Sequence, residues 1–213
     1  MKKTKLLDIA LYLAVVTILY NIIEGVVSVI FGYEDETLAL FGFGLDSFVE
    51  VISGIGVLHM VIRLKTTAVE KHDSFEKTAL RITGIAFFIL TAGLVFGSII
   101  NIIYEIKPVT TLVGMIVSSV SIVTMYFLMK AKLKIGNELK SDAIIADANC
   151  TKACFYLSFI LLASSGLYEI FGIAYLDILG ALGISYFAFK EGREALEKVK
   201  SNNISCCSSC SSH

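Results

Sequence analysis

Two carboxylates one helical turn apart, Asp46 and Glu50, stand in the middle of a long apolar stretch, and two thiols at the same spacing, Cys150 and Cys154, open another. On a helix, side chains at i and i+4 share a face with Cβ atoms about 5–6 Å apart, so each pair acts as one bidentate unit. Two such units on neighbouring helices can converge on a single cation. Carboxylates suit hard and borderline divalent cations and also take up protons. Thiolates favour Zn²⁺, Cd²⁺ and softer ions over Mg²⁺ or Ca²⁺. Ionisable groups are costly inside a bilayer and commonly mark a pathway for ions or protons. A single acid there can instead be a protonated packing element, and a single Cys a small apolar filler. The pairing favours ligation.

Further residues extend the pattern. Asp147, Cys150, Thr151, Cys154 and Ser158 form one stripe at helical spacing, while Lys152 points away from it. Asp147 is therefore a fifth candidate metal residue. Glu24, in Asn21-Ile22-Ile23-Glu24-Gly25, is another acid in an apolar run and suits a supporting role. The chain ends Cys206-Cys207-Ser208-Ser209-Cys210-Ser211-Ser212-His213, in which Cys207 and Cys210 make a C-x₂-C and Cys206 and His213 add possible ligands. That spacing suits Zn²⁺ or Cu⁺. It is a weaker metal candidate, because a solvated tail with incidental thiols has the same composition.

The elements that must position these residues are membrane helices. The 213 residues are 56% hydrophobic and 17% charged, with one Pro and no Trp, and mean hydropathy is +0.79. Long runs are apolar on all sides rather than on one stripe, which is the mark of membrane-embedded helices. Six stretches qualify, roughly Leu6–Phe31, Leu38–Ile62, Leu80–Tyr104, Val109–Met129, Ala143–Ile170 and Ile173–Phe189. Each is near the ~20 residues that a helix needs to cross the hydrocarbon. The expected fold class is all-α, with one six-helix membrane domain over residues 1–200 and a flexible polar tail over 201–213. The longest connections are expected at Arg63–Thr78 and Lys130–Asp142. Glycines in spans two, three and six, among them Gly42, Gly44, Gly54, Gly84, Gly93 and Gly180, suit close helix packing.

Basic residues set the orientation. Lys2, Lys3 and Lys5, then Arg63, Lys65, Lys71, Lys77 and Arg81, then Lys130, Lys132, Lys134 and Lys140, then Lys190, Arg193, Lys198 and Lys200 all fall on one side. The other side holds Lys107 and the acidic Glu34-Asp35-Glu36 loop. The positive-inside rule puts both termini in the cytoplasm, and the expected location is an inner or plasma membrane. The first span is too long for a signal-peptide core and is read as retained. Five Cys in or near the cytoplasm argue against a disulfide framework. A net charge of −1 carries no nucleic-acid signature.

The pattern resembles the cation diffusion facilitator family. The likeness runs through Asn21-x-x-Glu24-Gly25-x-x-Ser28-x-x-x-Gly32, Thr37-Leu38-Ala39-Leu40 and Gly42-Phe43-Gly44-Leu45-Asp46-Ser47-Phe48-Val49-Glu50-x-x-Ser53-Gly54. The family's D-S-x-x-D or H-S-x-x-D on the second helix reads Asp46-Ser47-x-x-Glu50 here. Its A-D-x-x-H-x-x-x-D on the fifth helix is anchored by Ala146-Asp147, which places Cys150 at the His position and Cys154 at the second Asp. Asp177 resembles the acid that opens the sixth helix. The resemblance implies six helices, a homodimer, and divalent-metal efflux driven by inward proton flow. The family's cytoplasmic ferredoxin-like domain has only the Cys/His tail in its place.

The expectation is therefore a transporter and no enzyme, without cofactor, whose partners are a divalent metal ion, protons and the lipid bilayer. The ion is Zn²⁺ or another thiophilic divalent heavy metal, held tetrahedrally by Asp46, Glu50, Cys150 and Cys154, with Asp147 attracting it or relaying protons. A membrane-embedded metal sensor or partner-binding protein would use the same residues without turnover. An intramembrane aspartyl protease is disfavoured, since Gly42-x-Gly44-x-Asp46 is off the register of G-x-G-D and no Y-D partner is present.

Overall fold

Apolar runs with a single proline leave the backbone little choice but to satisfy its own hydrogen bonds as helix. The computed structural model describes residues 3–66, 74–139 and 142–201. In it each expected span becomes one helix: α1 Lys3–Glu34, α2 Leu38–Thr66, α3 Ser74–Ile103, α4 Leu112–Leu139, α5 Asp142–Phe171 and α6 Tyr175–Ser201. No strand occurs among the described residues. Pro108 falls between α3 and α4, where it interrupts nothing. Glu36, Glu105 and Gly172 take positive φ (54°, 52° and 65°), each at a helix-to-helix reversal. Gly172 ends α5 with its N–H on the Tyr168 carbonyl at 2.7 Å, a left-handed cap that glycine adopts at least cost.

Five helices carry stretches long and apolar enough to cross a membrane: Lys5–Glu34, Leu38–Arg63, Arg81–Ile103, Leu112–Leu139 and Thr151–Phe171. The sixth is outside that set. Its apolar run stops at Phe189, and Lys190, Glu191 and Arg193 follow within the same helix. Two connections are shorter than the composition implies. α4 runs on to Leu139 instead of ending near Met129, and α2 and α3 reach Thr66 and Ser74. The basic residues after Met129 continue a helix because every third or fourth position there still packs inward: Leu128, Lys132, Ile135 and Gly136 are buried. Their neighbours keep their charge outward; Lys130 Nζ, for instance, lies 4.4 Å from the centre of the Tyr126 ring.

The most extensive contacts join α1 with α2, α4 with α5, and α3 with α6, while α2 also touches α3, α5 and α6. This makes α2 the central helix. One core, Leu40, Phe43, Val49, Leu94, Leu161 and Ile184 among others, packs α2, α3, α5 and α6 together. A second, with Leu6, Val57, Ile135 and Ile144, closes α1, α2, α4 and α5 at the end holding the N-terminus. At the opposite end the loops are laced by hydrogen bonds. Val109 N–H donates to Asp35 O (2.9 Å) and Tyr168 Oη to Pro108 O (2.6 Å). Glu169 Oε1 accepts from Thr111 N–H at 2.7 Å, at the start of α4. Asp177 spans two helices there: its carboxylate accepts from the N–H groups of Leu38 (2.8 Å) and Ala39 (3.2 Å), capping α2 from α6.

Polarity is arranged inside out. Ile23, Ile89, Phe96, Ile116 and Phe127 are among the most exposed side chains, while Asn21, Glu24, Ser28, Asp46, Ser47, Ser121, Lys132, Thr151 and Ser158 are buried. In water this would be costly twice over. In lipid it is the arrangement expected of helices that gather polar groups in their interior.

Candidate metal site

Close approach of α1 and α2 builds the first wall. A Cβ on Gly44 would lie 2.8 Å from both Ser28 Cβ and Val29 N, and one on Gly25 would lie 3.2 Å from the Gly44 carbonyl. Only glycine lets the backbones meet so closely. The contact sets Asn21 and Glu24 of α1 against Ser47 and Glu50 of α2. Asn21 Nδ2 donates to Glu50 Oε2 at 3.0 Å, and Ser47 Oγ donates to Glu24 Oε2 at 3.1 Å. Tyr20 Oη donates to the other Glu24 oxygen at 2.9 Å. Glu24 is thus held by two hydroxyls.

Helix α5 supplies the facing wall. Cys154 is buried, and its Sγ is in direct contact with Glu50 Oε1 across the α2–α5 interface. Met125 and Leu128 of α4 and the α1 residues Leu13, Val16 and Tyr20 seal its apolar side. Ser158, one turn further, donates to Ser121 Oγ of α4 at 2.9 Å. Asp46 is 3% exposed, and its Oδ1 has no hydrogen-bond partner. The Oδ1 of Asn21, whose amide nitrogen holds Glu50, is likewise buried and unpartnered. Orphaned buried acceptors are rare and costly in proteins, and a cation is the ligand that oxygen acceptors satisfy.

The expected ligands are placed as follows. Asp46 and Glu50 lie on the buried side of α2, within electrostatic reach of each other, and Cys154 meets Glu50. Asp147 and Cys150 are on α5, but their side chains lie outside the described ones. The tail residues Cys206, Cys207, Cys210 and His213 lie outside the described residues altogether. Among the described residues no three His, Cys, Asp or Glu side chains already form a metal cage.

Three residues of the site carry no weight in the sequence reading. Asn21 stands there only as part of the resemblance motif. Lys132 counts there as a cytoplasmic loop charge, yet it is 1% exposed and donates from Nζ to Thr151 Oγ1 at 3.0 Å. Glu191 on α6 is not singled out there, but it acts electrostatically on both Asp46 and Glu50. A signal for Lys132 exists. It continues the Ser118, Ser121, Met125, Leu128 stripe at steps of three and four. Net, several acids face one buried ammonium, an environment that attracts a cation of higher charge.

Comparison with known proteins bears on the chain as a whole. An uncharacterized transporter of Methanocaldococcus jannaschii is 29% identical over 186 residues, covering 82% of this chain and 64% of the relative's own length. The family described as the cation efflux transmembrane domain matches residues 10–201. With that match over nearly all six helices, the chain belongs to the cation efflux transmembrane-domain family, a family of membrane transporters.

Proposed function

We propose that this protein exports a divalent heavy-metal ion, Zn²⁺ or a related thiophilic cation, from the cytoplasm in exchange for protons. One observation carries the reading: Glu50 and Cys154 meet across the α2–α5 interface, with the unpartnered Oδ1 of Asp46 buried one turn away on α2. In this reading the ion is cargo, bound by Asp46 and Glu50 from α2 and by Cys150 and Cys154 from α5. The mixed oxygen and sulfur donor set favours Zn²⁺ and Cd²⁺ over Mg²⁺ or Ca²⁺. Asp147 attracts the ion or relays protons on the side nearer the N-terminus of α5.

Exchange for protons follows from ligand chemistry. Carboxylates and thiols bind metal only when deprotonated, so loading expels protons and unloading takes them up. Rocking of helices around a fixed midplane site then carries the two cargoes in opposite directions. The basic bias of the loops supports cytoplasmic termini and an inner or plasma membrane location. A homodimer is the assembly expected from the family resemblance. The tail cluster Cys206, Cys207, Cys210 and His213 would capture metal near the cytoplasmic mouth.

The test is ion flux into proteoliposomes holding the purified chain, with Zn²⁺, Cd²⁺, Mn²⁺ and Mg²⁺ supplied in turn and internal pH recorded. Saturable Zn²⁺ or Cd²⁺ uptake with matching proton movement is expected. Binding without flux would identify a membrane-embedded sensor, and flux of Mg²⁺ in preference to Zn²⁺ would remove the thiols from the site.

A further inference from the structure

Lys132 is the only fully buried Lys or Arg among the described residues. An ammonium in an apolar interior is retained only where opposite charge offsets its desolvation. Its Nζ donates to Thr151 Oγ1 at 3.0 Å, and Glu50 is an acid on which Lys132 acts electrostatically. The geometry is consistent from three helices. Lys132 projects from α4 onto Thr151 of α5. Thr151 lies three residues before Cys154 on the same stripe, and Cys154 touches Glu50 of α2. Asp46, Glu24 and Glu191 are the other acids acting on Glu50.

We infer that Lys132 is a tethered counter-cation of the ion site: it offsets the carboxylate charge when the site is empty and weakens the hold on an entering ion enough to let it leave. It acts through its field and coordinates nothing, so it is a positioning and specificity-determining residue. This inference rests on the transport reading above. It has a consequence that a merely structural lysine would not produce. A fixed unit charge repels a divalent ion with twice the energy with which it repels a monovalent one at the same place. Removing it should therefore tighten divalent binding by about the square of the factor for a monovalent ion.

The experiment measures binding of Cd²⁺ and Ag⁺ to the purified full chain by titration calorimetry, with Cd²⁺ flux in proteoliposomes as a second readout. Lys132→Met should tighten Cd²⁺ by roughly tenfold and Ag⁺ by roughly threefold, consistent with one unit charge several ångströms away in a medium of intermediate dielectric. Maximal Cd²⁺ flux should fall several-fold, because release becomes slow. Lys132→Arg, which keeps the charge, should return both affinities towards wild type. If Lys132→Met does not insert, Lys132→Gln carries the same test and keeps a donor for Thr151. Unchanged affinities in the neutral variants overturn the inference, as does equal loss in the neutral and Arg variants. If the wild-type chain binds no Cd²⁺, the transport reading falls and this inference with it. If wild type binds and the neutral variants bind no more tightly, the transport reading stands and only this inference falls.

Discussion

Glu50 is the residue on which most of the chemistry converges: one oxygen takes the Asn21 amide and the other meets Cys154. Its replacement by Ala, or that of Asp46, leaves a bound ion one oxygen ligand short. Altering even an outer partner of a metal ligand typically lowers affinity by about 10–100-fold, and a direct ligand should cost at least as much. Asp46→Ala and Glu50→Ala should insert normally and lose Zn²⁺ uptake in vesicles. Wild-type uptake in both would show that the ion is held elsewhere. The thiols are separable from the acids. Exchanging Cys150 for His and Cys154 for Asp should shift preference from Cd²⁺ or Hg²⁺ towards Zn²⁺ or Mn²⁺, because donor softness falls. An unchanged ranking of ions in a competition assay would rule both thiols out as ligands. Asn21→Leu keeps roughly the size of the side chain but removes the amide that holds Glu50, so it should weaken metal binding by about 10–100-fold in a titration, while leaving the helix contact in place.

At the scale of the element, α2 is positioned at its start and along its length. Asp177 caps its first turn from α6, and Gly44 lets α1 approach to backbone contact. Buried hydrogen bonds to a charged group contribute about 1.5–3 kcal/mol each, so Asp177→Ala should lower the thermal midpoint of the detergent-solubilised protein by several degrees. Gly44→Ala should cost about 1–3 kcal/mol through overpacking and move Glu24 away from Ser47. Size-exclusion profiles after heating report both effects, and an undiminished midpoint in Asp177→Ala would remove the capping role. Helix positions were legible from hydropathy, since runs such as Leu112–Met129 leave no other backbone solution. Helix ends were not. Lys130, Lys132 and Lys134 look like a loop because charge signals water, yet of the three only Lys132 turns inward, within electrostatic reach of Glu50 on α2. Asp177 was found through family likeness, whereas its capping of α2 is a long-range contact that no local pattern encodes.

At the scale of the molecule, six helices place their polar groups inward and their isoleucines and phenylalanines outward, so the bundle is built for a surrounding lipid phase. The spacing of Asp46 and Glu50 on one side of α2 was legible because i,i+4 spacing is local, while the side chain of Cys150 lies outside the described ones. That Cys154 reaches Glu50 required the fold, and so did the contributions of Asn21 and Glu191 from α1 and α6. The proposed role of the tail is tested at this scale too. Truncation after Lys200 should weaken apparent metal affinity mainly at low metal, since a tethered thiol cluster raises the local metal concentration. The maximal rate should stay nearly intact, and complete loss of transport would instead assign the tail to assembly or gating.

One site between α2 and α5 is proposed both to bind metal and to couple it to protons. The most direct measurement is Zn²⁺-stimulated proton flux in proteoliposomes, comparing wild type with Asp46→Asn, which preserves side-chain size while removing one ionisable ligand. The account predicts proton flux that saturates with Zn²⁺ in wild type and disappears in the variant, with both proteins equally inserted. Equal Zn²⁺-stimulated flux in the two would contradict it.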